Sequence, residues 1–247
     1  MEARMLAGRT ALVTGAARGL GFAISKRLAG LGARVVLADV DERGLADAAR
    51  AIAGNGGDAT ARVLDISNAT AVRDAFALLG SVQILVNNAG LCPRTPADEI
   101  GEAEWDRVLA VNLKGAFLCT QAALPGLKTA GWGRVINLAS AAGQMGGIAV
   151  GVHYAASKAG VLAMTKSFAR LLAPFGVTVN AIAPGAAQTD MTADWRETER
   201  HDVLSKVPLG RFVQPAEVAG TVAFLCSPEA AAITGATLDV NCGLLMR

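Results

Sequence analysis

Seven short runs rich in Val, Leu, Ile and Ala recur along the chain, and helix-period sequence fills the gaps between them. The runs are Thr10–Thr14, Arg34–Ala38, Thr60–Leu64, Gln83–Val86, Arg134–Leu138, Val177–Ala181 and Thr237–Val240. Helical periodicity begins near Leu20, covers Glu42–Ala53, and runs longest over Glu102–Leu127 and Tyr154–Ala173. Strands that recur only after a helix are joined by crossovers, which makes neighbouring strands parallel. A parallel sheet is covered on both faces, so its strands read as unbroken apolar runs. The pattern predicts an α/β, doubly wound fold with a seven-stranded parallel sheet and helices on both faces. No linker, repeat or low-complexity tract breaks it, so residues 1–247 are expected to form a single domain.

Composition narrows the function classes. Twenty-three basic and 21 acidic residues give a net charge of +2, which offers neither nucleic acid nor an anionic membrane a reason to bind. The uncharged stretches Val135–Ser157 and Leu171–Thr189 are broken by glycines and polar residues or by Pro174 and Pro184, and fall short of a spanning helix. The first residues run into a strand pattern with no apolar leader, so a soluble, cytoplasmic protein is expected. Cys92, Cys119, Cys226 and Cys242 are widely separated, as befits reduced thiols, and with only His153 and His201 no metal site is expected.

In such a sheet, ligands bind beyond the carboxyl ends of the strands. After the first run comes Thr14-Gly15-Ala16-Ala17-Arg18-Gly19-Leu20-Gly21. Glycines here permit a tight turn and close backbone approach, and the following helix aims free N–H groups at a pyrophosphate. Taken alone, the turn fits a ligand-free loop equally well. Asp39 tips the balance. It ends the second run about twenty residues on, where a carboxylate accepts hydrogen bonds from the adenine ribose hydroxyls. The same charge repels a 2′-phosphate by roughly 4 kcal/mol at 4 Å and an effective dielectric near 20. NAD is therefore expected, with NADP left possible by Arg18 and Arg43 nearby.

Tyr154 is the only tyrosine, and Lys158 follows four residues later on the same predicted helix face. A phenol with a pKa near 10 is only about a thousandth ionised at neutral pH. A neighbouring ammonium lowers that value, and three units correspond to about 4 kcal/mol. By itself the pair also fits an ordinary surface Tyr and Lys.

These features together resemble the short-chain dehydrogenase/reductase family, over essentially the whole chain. Thr14–Gly21 is similar to its glycine-rich cofactor turn, and Leu64-Asp65-Ile66 to its adenine contact. Asn87-Asn88-Ala89-Gly90 matches its N-N-A-G, and Pro184-Gly185 with Thr189 its nicotinamide-holding segment. Asn112, Ser140, Tyr154 and Lys158 fall on its catalytic tetrad. Two departures stand out: thirteen residues separate Ser140 from Tyr154 where twelve is common, and Cys242 replaces a frequent glycine.

The resemblance implies a Rossmann fold and reversible hydride transfer between a secondary alcohol and a ketone. In that scheme Tyr154 exchanges the proton, Lys158 lowers its pKa and holds the nicotinamide ribose, Ser140 bonds the substrate oxygen, and Asn112 anchors a relay water. Gly15, Arg18, Gly19, Leu20, Gly21, Asp39, Asp65, Ile66, Asn88, Ala89, Gly90, Pro184, Gly185 and Thr189 are the cofactor-binding candidates. Residues 186–212 are expected to form a substrate lid, with Cys92, Gln144, Met145, His153, Met191 and Trp195 lining the pocket. Members of the family this chain resembles pair the two long helices across a dimer interface, so the resemblance also implies a homotetramer. The alternatives are a 3-oxoacyl thioester reductase, which in this family usually uses NADPH and lacks an acid at the position of Asp39, and a catalytically idle nucleotide-bound protein.

Overall fold

The computed structural model describes residues 4–193 and 195–247, with the side chains of Asp190 and Met191 outside the description. Its strands are β1 (Thr10–Thr14), β2 (Arg34–Asp39), β3 (Asp58–Val63), β4 (Ile84–Asn87), β5 (Gly133–Leu138), β6 (Val177–Pro184) and β7 (Thr237–Val240). They form one sheet in the order β3-β2-β1-β4-β5-β6-β7, with every pairing parallel. The chain winds outward through β2 and β3, then returns to the other side of β1 with β4. That reversal opens a crevice at the carboxyl ends of β1 and β4.

Side chains alternate between two packed layers, as the period of a strand requires. Ala11 and Val13 of β1 face α1 (Gly19–Gly30), α2 (Glu42–Ala53) and α10 (Pro215–Cys226), where Ile24, Leu28, Leu45, Ile52, Val218 and Val222 are buried. Leu12 points the other way with Leu85, Val135 and Val179. It meets Phe76 of α3 (Ala69–Leu79), Leu127 of α5 (Ala116–Ala130) and Leu172 of α7 (Val152–Leu172). Leu85 is fully buried, so Leu85→Ala costs about 2–5 kcal/mol.

Side-chain caps start some of these helices, and others are left open. Asp41 caps α2 by accepting the Gly44 N–H at 2.9 Å, and Asn68 caps α3 by accepting from Thr70 and Ala71. α1, which follows the glycine turn, begins at Arg18 with no side-chain cap. Its first N–H groups face the crevice.

Among the boundaries that differ from the sequence expectation, three bear on the site or its frame. β3 starts two residues early, at Asp58, because it is a half-exposed edge strand with little apolar signal. β6 continues to Pro184, buried throughout, and so carries Pro184 into the crevice. The helix expected over Glu102–Leu127 is split into α4 (Glu102–Leu109), a π turn over Ala110–Gly115, and α5. By length and apolarity alone the combined run Glu102–Ala130 could cross a membrane; here Cys119, Ala123 and Leu127 pack it against the sheet.

The segment expected as a lid leaves β6 and returns to α10 through α8 (Asp190–Ala193) and α9 (Glu197–Leu204). Its two ends are tied together, Val213 N–H to the Ala186 carbonyl and Gln188 N–H to the Val213 carbonyl, both at 2.9 Å. Cys242, where the family resemblance leads one to expect glycine, has φ +55 and is the one described non-glycine residue in the left-handed region.

Candidate active site

The crevice is a cavity of about 900 Å³, built where the turns after β1 and β4 are laced together. Thr14 Oγ accepts the N–H groups of Asn88 and Ala89 at 3.0 and 3.1 Å. Asn88 Nδ2 donates in return to the carbonyls of Thr14 and Gly15 at 2.9 and 3.0 Å. This lacing leaves no room for side chains. A Cβ on Gly15, which has φ +65, would lie 2.7 Å from Ala89 Cα, and one on Gly21 would lie 2.0 Å from the Gly15 carbonyl oxygen. Gly15, Arg18, Gly19, Leu20, Asn88, Ala89 and Gly90 line the cavity. Gly21 does not; it serves beneath the turn, letting α1 abut it.

At the far end of this wall the Asp39 carboxylate is held in place by three backbone N–H groups. Oδ2 accepts from Ala17 at 3.1 Å, and Oδ1 from Val40 and Asp41 at 2.8 and 3.1 Å. Asp65 is steadied by Ser67, whose N–H and hydroxyl both donate to Oδ1. Ile66 packs over Gly115, where a Cβ would fall 2.6 Å from its Cδ1. An uncapped helix start, a glycine cradle and an oriented carboxylate fit the pyrophosphate and ribose of a dinucleotide. Among the described residues no group of three or more His, Cys, Asp or Glu could hold a metal ion.

Tyr154 and Lys158 emerge from the first turns of α7, which follows the short α6 (Ala142–Met145), into the same cavity, beside Ser140 just beyond β5, Pro184 at the end of β6, and Gly185 and Thr189 after it. Lys158 is buried, donates to the Leu138 carbonyl at 2.6 Å, and lies 5.8 Å from the centre of the Tyr154 ring. Burial lowers its ammonium to about 8. The Tyr154 phenol, in hydrogen-bonding contact with Ser140 and Cys92, is pushed above its ordinary value, chiefly by burial. Burial and Cys92 outweigh the Ser140 hydrogen bond, and Lys158 does not produce the expected lowering here, so Tyr154 carries its proton at neutral pH.

Asn112 departs from expectation. It sits in the π turn, 2% exposed, and does not line the cavity. Its side-chain amide is engaged with the Leu91 backbone and with Ser157 Oγ. Of the expected pocket residues, Cys92, Met145 and Trp195 line the cavity. Gln144 does not, because it donates to Asp239 Oδ1 at 2.6 Å on the outside of the site. His153 is turned into the protein toward Glu104. The Met191 side chain lies outside the described residues.

Sequence reasoning missed Arg94, Ile148, Val150, Lys206 and Leu244, all of which line the cavity. Only Arg94 had a usable signal, since it stands two residues beyond Cys92 and so on the same side of an extended segment. Burial raises the Cys92 thiol to about 11, which makes it a poor nucleophile.

A family model described as enoyl-(acyl carrier protein) reductase matches residues 15–245. The chain is 43% identical over 242 residues to the 3-oxoacyl-[acyl-carrier-protein] reductase of Vibrio cholerae, covering 98% of this chain and 99% of that protein. The corresponding Pseudomonas aeruginosa reductase is 40% identical over 98% of this chain and 99% of its own. Among solved structures, a 3-oxoacyl-[acyl-carrier protein] reductase from Brucella melitensis superposes with a TM-score of 0.94 at 35% identity, over 100% of this chain and 95% of that one. A protein from Agrobacterium tumefaciens described as a 2-deoxy-D-gluconate 3-dehydrogenase, with bound NADP, gives 0.91 at 40% identity over 100% of both chains.

Proposed function

The chain belongs to the short-chain dehydrogenase/reductase family, and on that premise we propose that it reduces a 3-oxoacyl thioester, borne on an acyl carrier protein or coenzyme A, to the 3-hydroxyacyl thioester. The observation that carries this reading is the Tyr154 phenol, set beside Ser140 in the cavity and protonated at neutral pH. A group in that state is a general acid, suited to completing ketone reduction. The thioester is favoured over a simple ketone by the two reductases that match this chain nearly end to end.

A bound nicotinamide nucleotide supplies the hydride. Gly15, Gly19 and Leu20 would hold its pyrophosphate at the open start of α1, Asp65 and Ile66 would take the adenine, and Pro184, Gly185 and Thr189 would take the nicotinamide. Ser140 donates a hydrogen bond to the substrate carbonyl, and Tyr154 delivers its O–H proton to the same oxygen as negative charge develops there. Lys158, with its ammonium beside the Tyr154 ring, stabilises the phenolate left behind. Asp39 makes the preferred coenzyme NADH, although a solved relative holds NADP.

Residues 186–212 act as the lid over the substrate. The enzyme works in the cytoplasm as a homotetramer, with exposed Phe117, Leu171 and Phe175 on α5 and at the end of α7 supplying an apolar contact face. The test is reduction of acetoacetyl-CoA with NADH and NADPH in parallel, beside a panel of linear and cyclic ketones. Turnover of the thioester with NADH is expected. Turnover of simple ketones or sugar acids alone would replace this reading with the general secondary-alcohol dehydrogenase, which the gluconate-type structural relative favours.

A further inference from the structure

The segment Leu91–Thr95 leaves the Asn88-Ala89-Gly90 turn to form one wall of the cavity, and it is fastened at alternate residues. Asn112 holds both polar atoms of the Leu91 backbone. The Pro93 carbonyl accepts the Gly151 N–H at 3.0 Å. Thr95 donates its hydroxyl to Glu104 Oε1 at 2.7 Å. Cys92 and Arg94, the residues between, face the cavity.

The third fastening has a second leg. The same Glu104 oxygen lies 3.0 Å from His153 Nε2, and His153 immediately precedes Tyr154 on α7. The Thr95 hydroxyl, and after it the His153 ring, hold the Glu104 carboxyl below the usual carboxylate range. An ionised carboxylate only accepts, so Nε2 carries the ring proton. The imidazole is fully buried, stacked on Trp105 with centroids 6.4 Å apart, and its Nδ1 has no partner among the described residues. An apolar ring would pack on Trp105 without that orphaned nitrogen. Packing alone therefore does not account for a histidine here, whereas the bond to Glu104 does.

Resting on the reductase reading above, we propose that Thr95, Glu104 and His153 form a positioning relay. It sets the Cys92–Arg94 wall against the Tyr154 phenol, and so governs how the carbonyl substrate fits without touching the dinucleotide. Thr95→Val replaces the hydroxyl by a methyl and cuts one leg, and Thr95→Ser restores it. In Thr95→Val, exchange of the Leu91 and Gly151 amides, the two N–H groups whose hydrogen bonds fasten the segment, should speed by about fivefold, the loss of roughly one neutral hydrogen bond. KM for the carbonyl substrate should rise by a similar factor, with kcat and the NADH Kd within about twofold. Thr95→Ser should return both readouts to wild type.

Amide exchange at the wild-type rate in Thr95→Val overturns the relay, whatever the substrate is. Faster exchange with KM unchanged, on whichever carbonyl the enzyme reduces, overturns its role in substrate fit, as does a matching rise in the NADH Kd. Failure of acetoacetyl-CoA to react, with faster exchange and a raised KM for another ketone, counts against the thioester reading and supports the relay.

Discussion

Asn112 grips the backbone of Leu91 at both polar atoms, accepting its N–H at 2.8 Å through Oδ1 and donating to its carbonyl at 2.9 Å through Nδ2. The π turn over Ala110–Gly115 makes this possible by interrupting the α-helical register between α4 and α5. Nδ2 also reaches Ser157 Oγ at 3.0 Å, tying the cavity wall to α7. Asn112→Ala should destabilise the fold by about 2–4 kcal/mol, since several polar groups lose their partner at once. Asn112→Asp keeps the acceptor but turns a carboxyl oxygen toward the Leu91 carbonyl at a buried position, and should lose at least as much. Urea denaturation of both variants measures the difference.

Tyr154→Phe removes the acid and leaves the ring's packing intact. Turnover should fall by about 10²–10⁴-fold, while NADH affinity, followed by fluorescence titration, changes little. Residual activity near the wild-type rate would remove Tyr154 from the mechanism.

Two glycines of α1 make opposite demands. A Cβ at Gly21 would collide with the Gly15 carbonyl oxygen, whereas one at Gly30 meets nothing within 4 Å. Gly21→Ala should cost about 1–3 kcal/mol through a forced backbone shift and abolish dinucleotide binding. Gly30→Ala should be neutral or stabilising by about 0.5–1 kcal/mol. Thermal melts with and without NADH distinguish the two.

Burial depresses the Lys158 ammonium to about 8, against about 10.4 in an unfolded chain. Between those values the unfolded chain binds a proton that the folded one lacks, so this group makes stability rise with pH. Below about 8 both states are protonated, and folding bears the full cost of burying the charge. Wild type should therefore gain on Lys158→Met by an amount on the order of 1–3 kcal/mol between pH 8 and 10.5. A gap that stays constant across that window in urea denaturation would contradict the assignment.

Asp39→Ser removes the charge that opposes a 2′-phosphate. The ratio of kcat/KM for NADH over NADPH should fall by at least about a hundredfold, given roughly 4 kcal/mol of repulsion before screening. An unchanged ratio would mean that Arg18 and Arg43, not Asp39, set the preference.

What the sequence determined by itself is what local periodicity encodes. Unbroken apolar runs separated by helical stretches specify a buried parallel sheet, because only a crossover joins such strands. The motif positions were legible for the same reason: Gly15, Asp39, Ser140 and Tyr154 stand just after strands or at a helix start, and the topology brings those places together. Interior detail was not legible. An α-helix and a π turn share the same apolar pattern, so the break at Asn112 left no trace in the periodicity of Glu102–Leu127. Gln144 and His153 were expected in the pocket because they flank Ser140 and Tyr154 in sequence. Their orientation goes with Asp239 and Glu104, distant partners that each engage one of their polar atoms away from the cavity. Lys206 and Leu244 reach the cavity only through the return of the lid and the closing segment after β7. Contacts between segments so far apart depend on how the whole chain packs, and only the tertiary structure decides them.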